Sequence, residues 1–234
     1  MANRQIVAMG GGGFLMSGDY DALDNYILSL TRKRRPRVCF IATAGGDNRD
    51  NIVKFYEAFP ARRAEASHLR LFGVPRTDIR AFLLSQDVIY VSGGNTANML
   101  AVWRVHGVDR VLREAWKRGI VLTGVSAGML CWFEGGVTDS FGRPLSAIRD
   151  GLGLLKGSSC PHYDGETDRR PIYHRLLQRG LPAGVAADDW AAIHYVGTKI
   201  QACVSTKPGA GCYRVGIRNG VVREEEMGTR FIGT

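Results

Sequence analysis

Hydrophobic and polar positions along the chain follow two rhythms. From residue 5 to residue 133, short apolar runs that end in glycine and small polar residues alternate with stretches of helical period. Gln5–Met9 reads as a strand running into Gly10-Gly11-Gly12-Gly13, and Asp19–Leu30 as a helix with Tyr20, Leu23, Tyr26, Ile27 and Leu30 on one side. The alternation continues as a strand (Val38–Ala42), a helix (Asn51–Phe59), a strand (His68–Phe72) and a helix opened by Thr77 as its cap (Thr77–Leu84). Val88–Ser92 is a strand that ends in Gly93-Gly94-Asn95-Thr96, and the helical stretches Met99–Val105 and Val108–Lys117 return the chain to the apolar strand Ile120–Leu122. Repeated alternation of this kind predicts an α/β fold, an open and mostly parallel sheet flanked by helices. Ligands of such sheets bind at the carboxyl edge, where these glycine-rich loops fall.

After Phe133 the rhythm changes. Gly135–Ser140 and Gly151–Ser159 are glycine-punctuated and extended, and Pro171–Leu177 is a short helix. Val185–Ala187, Ala192–Val196, Ile200–Ser205, Cys212–Ile217 and Val221–Glu224 read as short strands, with Arg218-Asn219-Gly220 as a hairpin turn. No linker composition separates this β-rich part from the rest, so residues 1–234 are expected to form one domain.

Composition narrows the function classes. The chain has 234 residues, 45% of them hydrophobic, and no apolar run long enough for a membrane span. Met1–Gln5 leads directly into the first strand without the apolar stretch of a signal peptide, which points to the cytoplasm. Five cysteines without a C-x-x-C pair fit a reducing compartment, and Cys160, next to Pro161-His162, is a candidate reactive thiol. The net charge is +9, with its densest run at Arg32-Lys33-Arg34-Arg35-Pro36-Arg37. That run follows a helix and reads as a solvated turn compensating the helix dipole; no nucleic-acid-binding motif accompanies it. The dinucleotide fingerprint fails at the first loop, because Leu15 stands where its third glycine belongs.

The strand beginning at Ile120 ends in Gly124-Val125-Ser126-Ala127-Gly128. A G-x-S-x-G spacing after a buried strand places a serine on a sharp strand-to-helix turn, with the following amide, that of Ala127, available to a developing oxyanion. The plain alternative is a serine that only caps a helix. A serine nucleophile needs a base, and the base needs a carboxylate that fixes its tautomer. Of the five histidines, His68, His106, His174 and His194 lie in or beside helices and strands, whereas His162 is presented on a loop after Cys160-Pro161. Asp139 lies between Ser126 and His162 in sequence and is the first candidate acid, with Glu134, Asp164 and Glu166 behind it.

Gly93-Gly94-Asn95-Thr96, Gly124-Val125-Ser126-Ala127-Gly128 and Pro161-His162-Tyr163, taken in that order, resemble the peptidase E family of serine peptidases. These are aspartyl dipeptidases, related to cyanophycinase, on a sheet like that of class I glutamine amidotransferases. The likeness runs from the first strand to about His194. It implies that Ser126 is the nucleophile, His162 the general base and Asp139 the orienting acid. It also implies that Gly94 and Ala127 supply oxyanion amides, with Gly93 and Asn95 beside them at the substrate. The family's Gly-Glu-Thr-Arg segment is matched here by Gly165-Glu166-Thr167-Asp168-Arg169-Arg170, so Arg169 or Arg170 would pair with an acidic substrate side chain.

The expected activity is therefore cofactor-free and metal-independent hydrolysis of dipeptides or short peptides, with an N-terminal aspartate preferred. A β-aspartyl or cyanophycin-like amide is the rival substrate. An inactive binding module with a basic surface is the rival of another class. The expected partner is a small peptide, not nucleic acid or membrane, with a homodimer left open.

Overall fold

A computed structural model describes residues 4–233; residues 1–3, part of the N-terminal stretch tested above for a signal peptide, lie outside it, as does Thr234. The first half builds β1 (Gln5–Met9), α1 (Phe14–Ser17), α2 (Ala22–Ser29), β2 (Arg37–Ile41), α3 (Arg49–Ala58), β3 (Glu65–Leu69), α4 (Ile79–Leu84), β4 (Val88–Val91), α5 (Thr96–His106), α6 (Val108–Lys117), β5 (Val121–Val125) and α7 (Ala127–Leu130). The second half builds β6 (Gly135–Thr138), β7 (Ser146–Ile148), β8 (Ser158–Cys160), α8 (Arg169–Gln178), β9 (Gly184–Ala187), β10 (Ala191–Val196), β11 (Lys199–Ser205), β12 (Cys212–Arg218), β13 (Val221–Met227) and β14 (Thr229–Phe231).

The strands form two sheets. An eight-stranded sheet has the order β14-β11-β10-β1-β5-β4-β2-β3. Its β1, β5, β4, β2 and β3 are mutually parallel, as the alternating pattern predicts. Residues alternate between its faces: Ile6, Ala8, Ile89, Val91 and Leu122 enter one core, while Val7, Met9, Val88, Tyr90 and Val121 enter the other. Burial on both faces explains why β1 and β5 read as unbroken apolar runs. The edge strand β3 starts three residues before the expected His68–Phe72, because Glu65–Leu69 is what pairs in register with Arg37–Ile41. An edge position leaves that strand half-exposed and polar, which hides it from an apolar search. Helix α4 is preceded by Asp78 rather than Thr77, without a side-chain cap bond.

The β-rich second half divides between the sheets. β10 joins β1 antiparallel and carries β11 and β14 outward from it, whereas β9, β12 and β13 join β8, β6 and β7 in a six-stranded sheet. Helix α8 packs on that second sheet through Tyr173 and Leu177 in a third core. The chain passes from one sheet to the other between β9 and β10, in the turn Asp188-Asp189-Trp190. Asn219 and Gly220, with φ of 53° and 76°, form the expected tight turn between β12 and β13. No helix among the described residues is long and apolar enough to cross a membrane.

Candidate active site

β5 delivers Ser126 at the carboxyl edge of the first sheet with φ 57° and ψ −109°. This conformation is sparsely populated by residues other than glycine and persists only where packing imposes it. The packing is visible on both sides. A Cβ on Gly124 would lie 2.6 Å from Gly128 O, and one on Gly128 would lie 2.5 Å from Val91 O, so only glycine lets α7 pass this close. Ser126 N donates to Met9 O at 3.1 Å, tying the turn to the end of β1. Ala127 opens α7, and the first amides of a helix have no intrahelical acceptor.

The loop after β4 stands against this serine. A Cβ on Gly93 would lie 3.3 Å from Ser126 Cβ and 3.9 Å from its Oγ. Gly94 takes φ 132°, and a Cβ there would lie 2.2 Å from Ala44 O, so the residue must be glycine on both counts. Asn95 is a clamp: its Oδ1 caps α5 through Asn98 N at 2.9 Å, and its Nδ2 donates to Ser140 O at 3.0 Å. Both ends of its side chain are thus used within the protein.

His162 N donates to Gly10 O at 3.3 Å, so His162 and Ser126 hang from consecutive carbonyls at the end of β1. Its backbone is also left-handed, at φ 53°. The imidazole Nδ1 meets Asp189 Oδ1 at 2.5 Å, and both side chains are largely buried, at 17% and 18% exposure. Among the described residues no hydrogen bond joins Ser126 Oγ to the imidazole; the Asp189 contact occupies Nδ1 and leaves Nε2 as the second ring nitrogen.

The carboxylate on His162 corrects the expected acid. Asp139 is exposed in the turn after β6, where its carbonyl accepts from Gly142 N at 2.9 Å, and Asp189 holds the nitrogen assigned to it. The physical reason is the sheet crossing. Trp190, at φ 66°, donates its N–H to Gly11 O at 3.2 Å and turns the chain back under the glycine loop, so that Asp189 faces His162. Asp189 N is held by Asp164 Oδ1 at 2.8 Å. Its two carboxylate oxygens lie over glycines, since a Cβ on Gly11 would stand 2.1 Å from Oδ1 and one on Gly165 would stand 2.0 Å from Oδ2. Two further carboxylates considered for the role are engaged away from the imidazole. Glu134 accepts from Gly157 N at 2.8 Å, and Glu166 is paired with Arg169.

The two arginines expected to meet an acidic substrate are engaged within the fold. Arg169 is 3% exposed; its Nε and Nη2 grip the two Glu166 oxygens at 3.1 Å each, and Nη1 donates to Val137 O at 3.1 Å. Burial pushes the Glu166 carboxyl up, but the Arg169 hydrogen bond and the charges of Arg169, His162 and Arg143 outweigh it and leave the group below its ordinary range. Glu166 N donates to His162 O at 3.2 Å, so buried Arg169 fixes the loop that carries the imidazole. Arg170 pairs with Glu224 at 3.2 Å and lies over the rings of Tyr163 and Tyr213. Exposed Arg143 pairs with Asp168 at 2.9 Å and Glu166 at 3.6 Å. Cys160 is fully buried, and burial pushes its thiol up, away from a reactive thiolate. Among the described residues no group of three or more His, Cys, Asp and Glu is gathered as a metal ion requires.

A serine forced onto a strand-to-helix turn, with an Asp–His pair hung beside it on a buried α/β sheet, defines a hydrolase of the serine peptidase class. The model of peptidase family S51 matches residues 6–203, and the chain belongs to that family. It is 48% identical over 231 residues to the Bacillus subtilis (strain 168) protein named "Uncharacterized peptidase YgaJ", covering 98% of this chain and 100% of that one. The crystal structure of a peptidase from an acI-B1 Actinobacterium shares the fold at TM-score 0.69 and 18% identity, over 97% of this chain and 95% of that one. A candidate peptidase E of Listeria monocytogenes EGD-e does so at TM-score 0.62 and 19% identity, over 85% of this chain and 97% of that one.

Proposed function

We propose that the protein is a serine exopeptidase that cleaves dipeptides or short peptides through an acyl-enzyme on Ser126. His162 Nε2 takes the hydroxyl proton as Oγ attacks the carbonyl carbon after the first residue, and Asp189 on Nδ1 holds the tautomer and stabilises the imidazolium. The amides of Gly94 and Ala127 receive the negative charge on the carbonyl oxygen. The imidazolium returns the proton to the departing amine as the C–N bond breaks. Water then attacks the ester, giving its proton to Nε2, and Ser126 leaves as the hydroxyl once the proton is returned. The observation that carries this reading is the suspension of Ser126 and His162 from Met9 O and Gly10 O, with Asp189 on the imidazole Nδ1.

An N-terminal aspartate is the first residue the family resemblance favours. With Arg169 and Arg170 engaged, Arg143, which pairs with Glu166 beside the His162 loop, is a candidate to meet its carboxylate, at the cost of its contacts with Asp168 and Glu166. A panel of dipeptides with α-aspartyl, β-aspartyl, neutral and basic first residues, run on the wild type and on Ser126→Ala, tests both levels. Ser126→Ala is expected to lower kcat by about 10⁶ while the fold is kept. Turnover retained in that variant contradicts the reading, and a β-aspartyl preference moves it to the rival substrate.

A further inference from the structure

The two sheets are joined by the Asp188–Trp190 turn between β9 and β10. Between them opens a cleft of about 1230 Å³ whose wall includes Leu155, Val185 and Tyr195, all nearly buried. It is remote from Ser126. Lys199 on its rim pairs with Val196, which pairs with Gln5 at the start of β1, whereas Ser126 hangs from Met9 at the other end. That strand alone separates them by roughly 13 Å at ~3.3 Å per residue.

The lining is strongly cationic. Lys156, Lys199, Arg214, Arg218 and Arg223 face the cleft against one carboxylate, Glu225. Among the described residues none of the five is in an ion pair, and the one carboxylate, Glu225, stands opposite Arg214 in the β12–β13 pairing. Alternation along β12 sends Arg214 and Arg218 to one face, with Gly216 between them lying against Ala183, where a Cβ would stand 3.1 Å from the Ala183 Cβ. The basic turn at 32–37 differs: it borders a second hollow of about 670 Å³ in which Lys33 and Arg37 are already bridged to Asp87. Like charges facing each other across a walled gap repel, and the gap focuses their field on an incoming anion.

We infer that this cleft is a binding site for a small oligophosphate-bearing anion, separate from the peptidase centre. Guanidinium forks match phosphate oxygens bidentately, and the volume suits a small molecule lying on the apolar wall. Free oligophosphate and a nucleoside triphosphate share this chemistry, and ligands with and without a base distinguish them.

Titration calorimetry and thermal shift at low ionic strength, with sodium tripolyphosphate and with ATP, test the site on the full-length protein. Saturable 1:1 binding is expected, unchanged in Ser126→Ala, and tighter for ATP if the base uses the wall. The double variant Arg214→Gln/Arg223→Gln, both exposed residues, is expected to weaken it about tenfold or more, as loss of charge-assisted hydrogen bonds does. Arg34→Gln/Arg35→Gln in the basic turn should leave it unchanged. A thermal shift reproduced by sodium sulfate at matched ionic strength overturns the inference. So does equal affinity in the cleft variant, or binding confined to duplex DNA and abolished by the basic-turn variant.

Discussion

Two turns present the chemistry of this site, and they are built in opposite ways. The turn at Ser126 is specified by neighbouring residues: glycines at 124 and 128 admit a close helix, and the serine between them takes φ 57°. The turn at Asp189 is specified by distant ones. Gly11 and Gly165 leave space for its carboxylate, Asp164 holds its amide, and Trp190 is anchored to the glycine loop after β1. In the proposed mechanism the nucleophile is thus written as a motif, while its acid is a consequence of how two sheets are joined.

The contrast between the turns breaks if the distant contacts are dispensable. Gly11→Ala and Gly165→Ala each place a methyl group within about 2 Å of a carboxylate oxygen, at positions where the backbone itself accepts alanine. Each is expected to lower kcat by ~10² through a displacement on the order of 1 Å, with KM changing less. Full activity in both would show that Asp189 is not held as described.

The same difference decides what could be read from the sequence. The parallel sheet was legible because β1, β4 and β5 are buried on both faces and end in small residues. The placement of Ser126, Gly93, Gly94 and His162 in loops at strand ends was legible because glycines and small residues mark those ends. Asp189 was not, since Asp188-Asp189-Trp190 between two short strands reads as an ordinary turn, and nothing local says that the strands on either side belong to different sheets. The one local signal was a pair of acids at a strand end facing the same edge as the glycine loop. Arg169 shows a related limit: the resemblance offers it to an acidic substrate side chain, yet it is buried against Glu166 and Val137, partners that no local pattern announces.

A smaller effect sharpens the picture of the glycine loop. Asp24 Oδ2 accepts from Phe14 N at 2.9 Å and Asp21 Oδ2 accepts from Gly13 N at 3.0 Å, so these carboxyls hold the far end of the loop that touches Asp189. Burial, then the charge of Asp21, pushes Asp24 up to about 8. The native state therefore keeps a proton that the unfolded chain releases, and stability falls as pH rises through this range and levels off above it. Asp24→Asn is expected to melt close to the wild type near pH 4, before the unfolded carboxyl has lost its proton, and above it at pH 8.5, by roughly 2–4 °C for each kcal/mol recovered. Parallel melting curves at both pH values would contradict the assignment.

The most direct test compares two carboxylates in one assay. Asp189→Asn should lower kcat by about 10⁴, as removal of the group that fixes a catalytic imidazole's tautomer does, while Asp139→Asn leaves kcat within about twofold, as for an exposed turn residue. The reverse order, with Asp139→Asn crippled and Asp189→Asn active, would contradict the account.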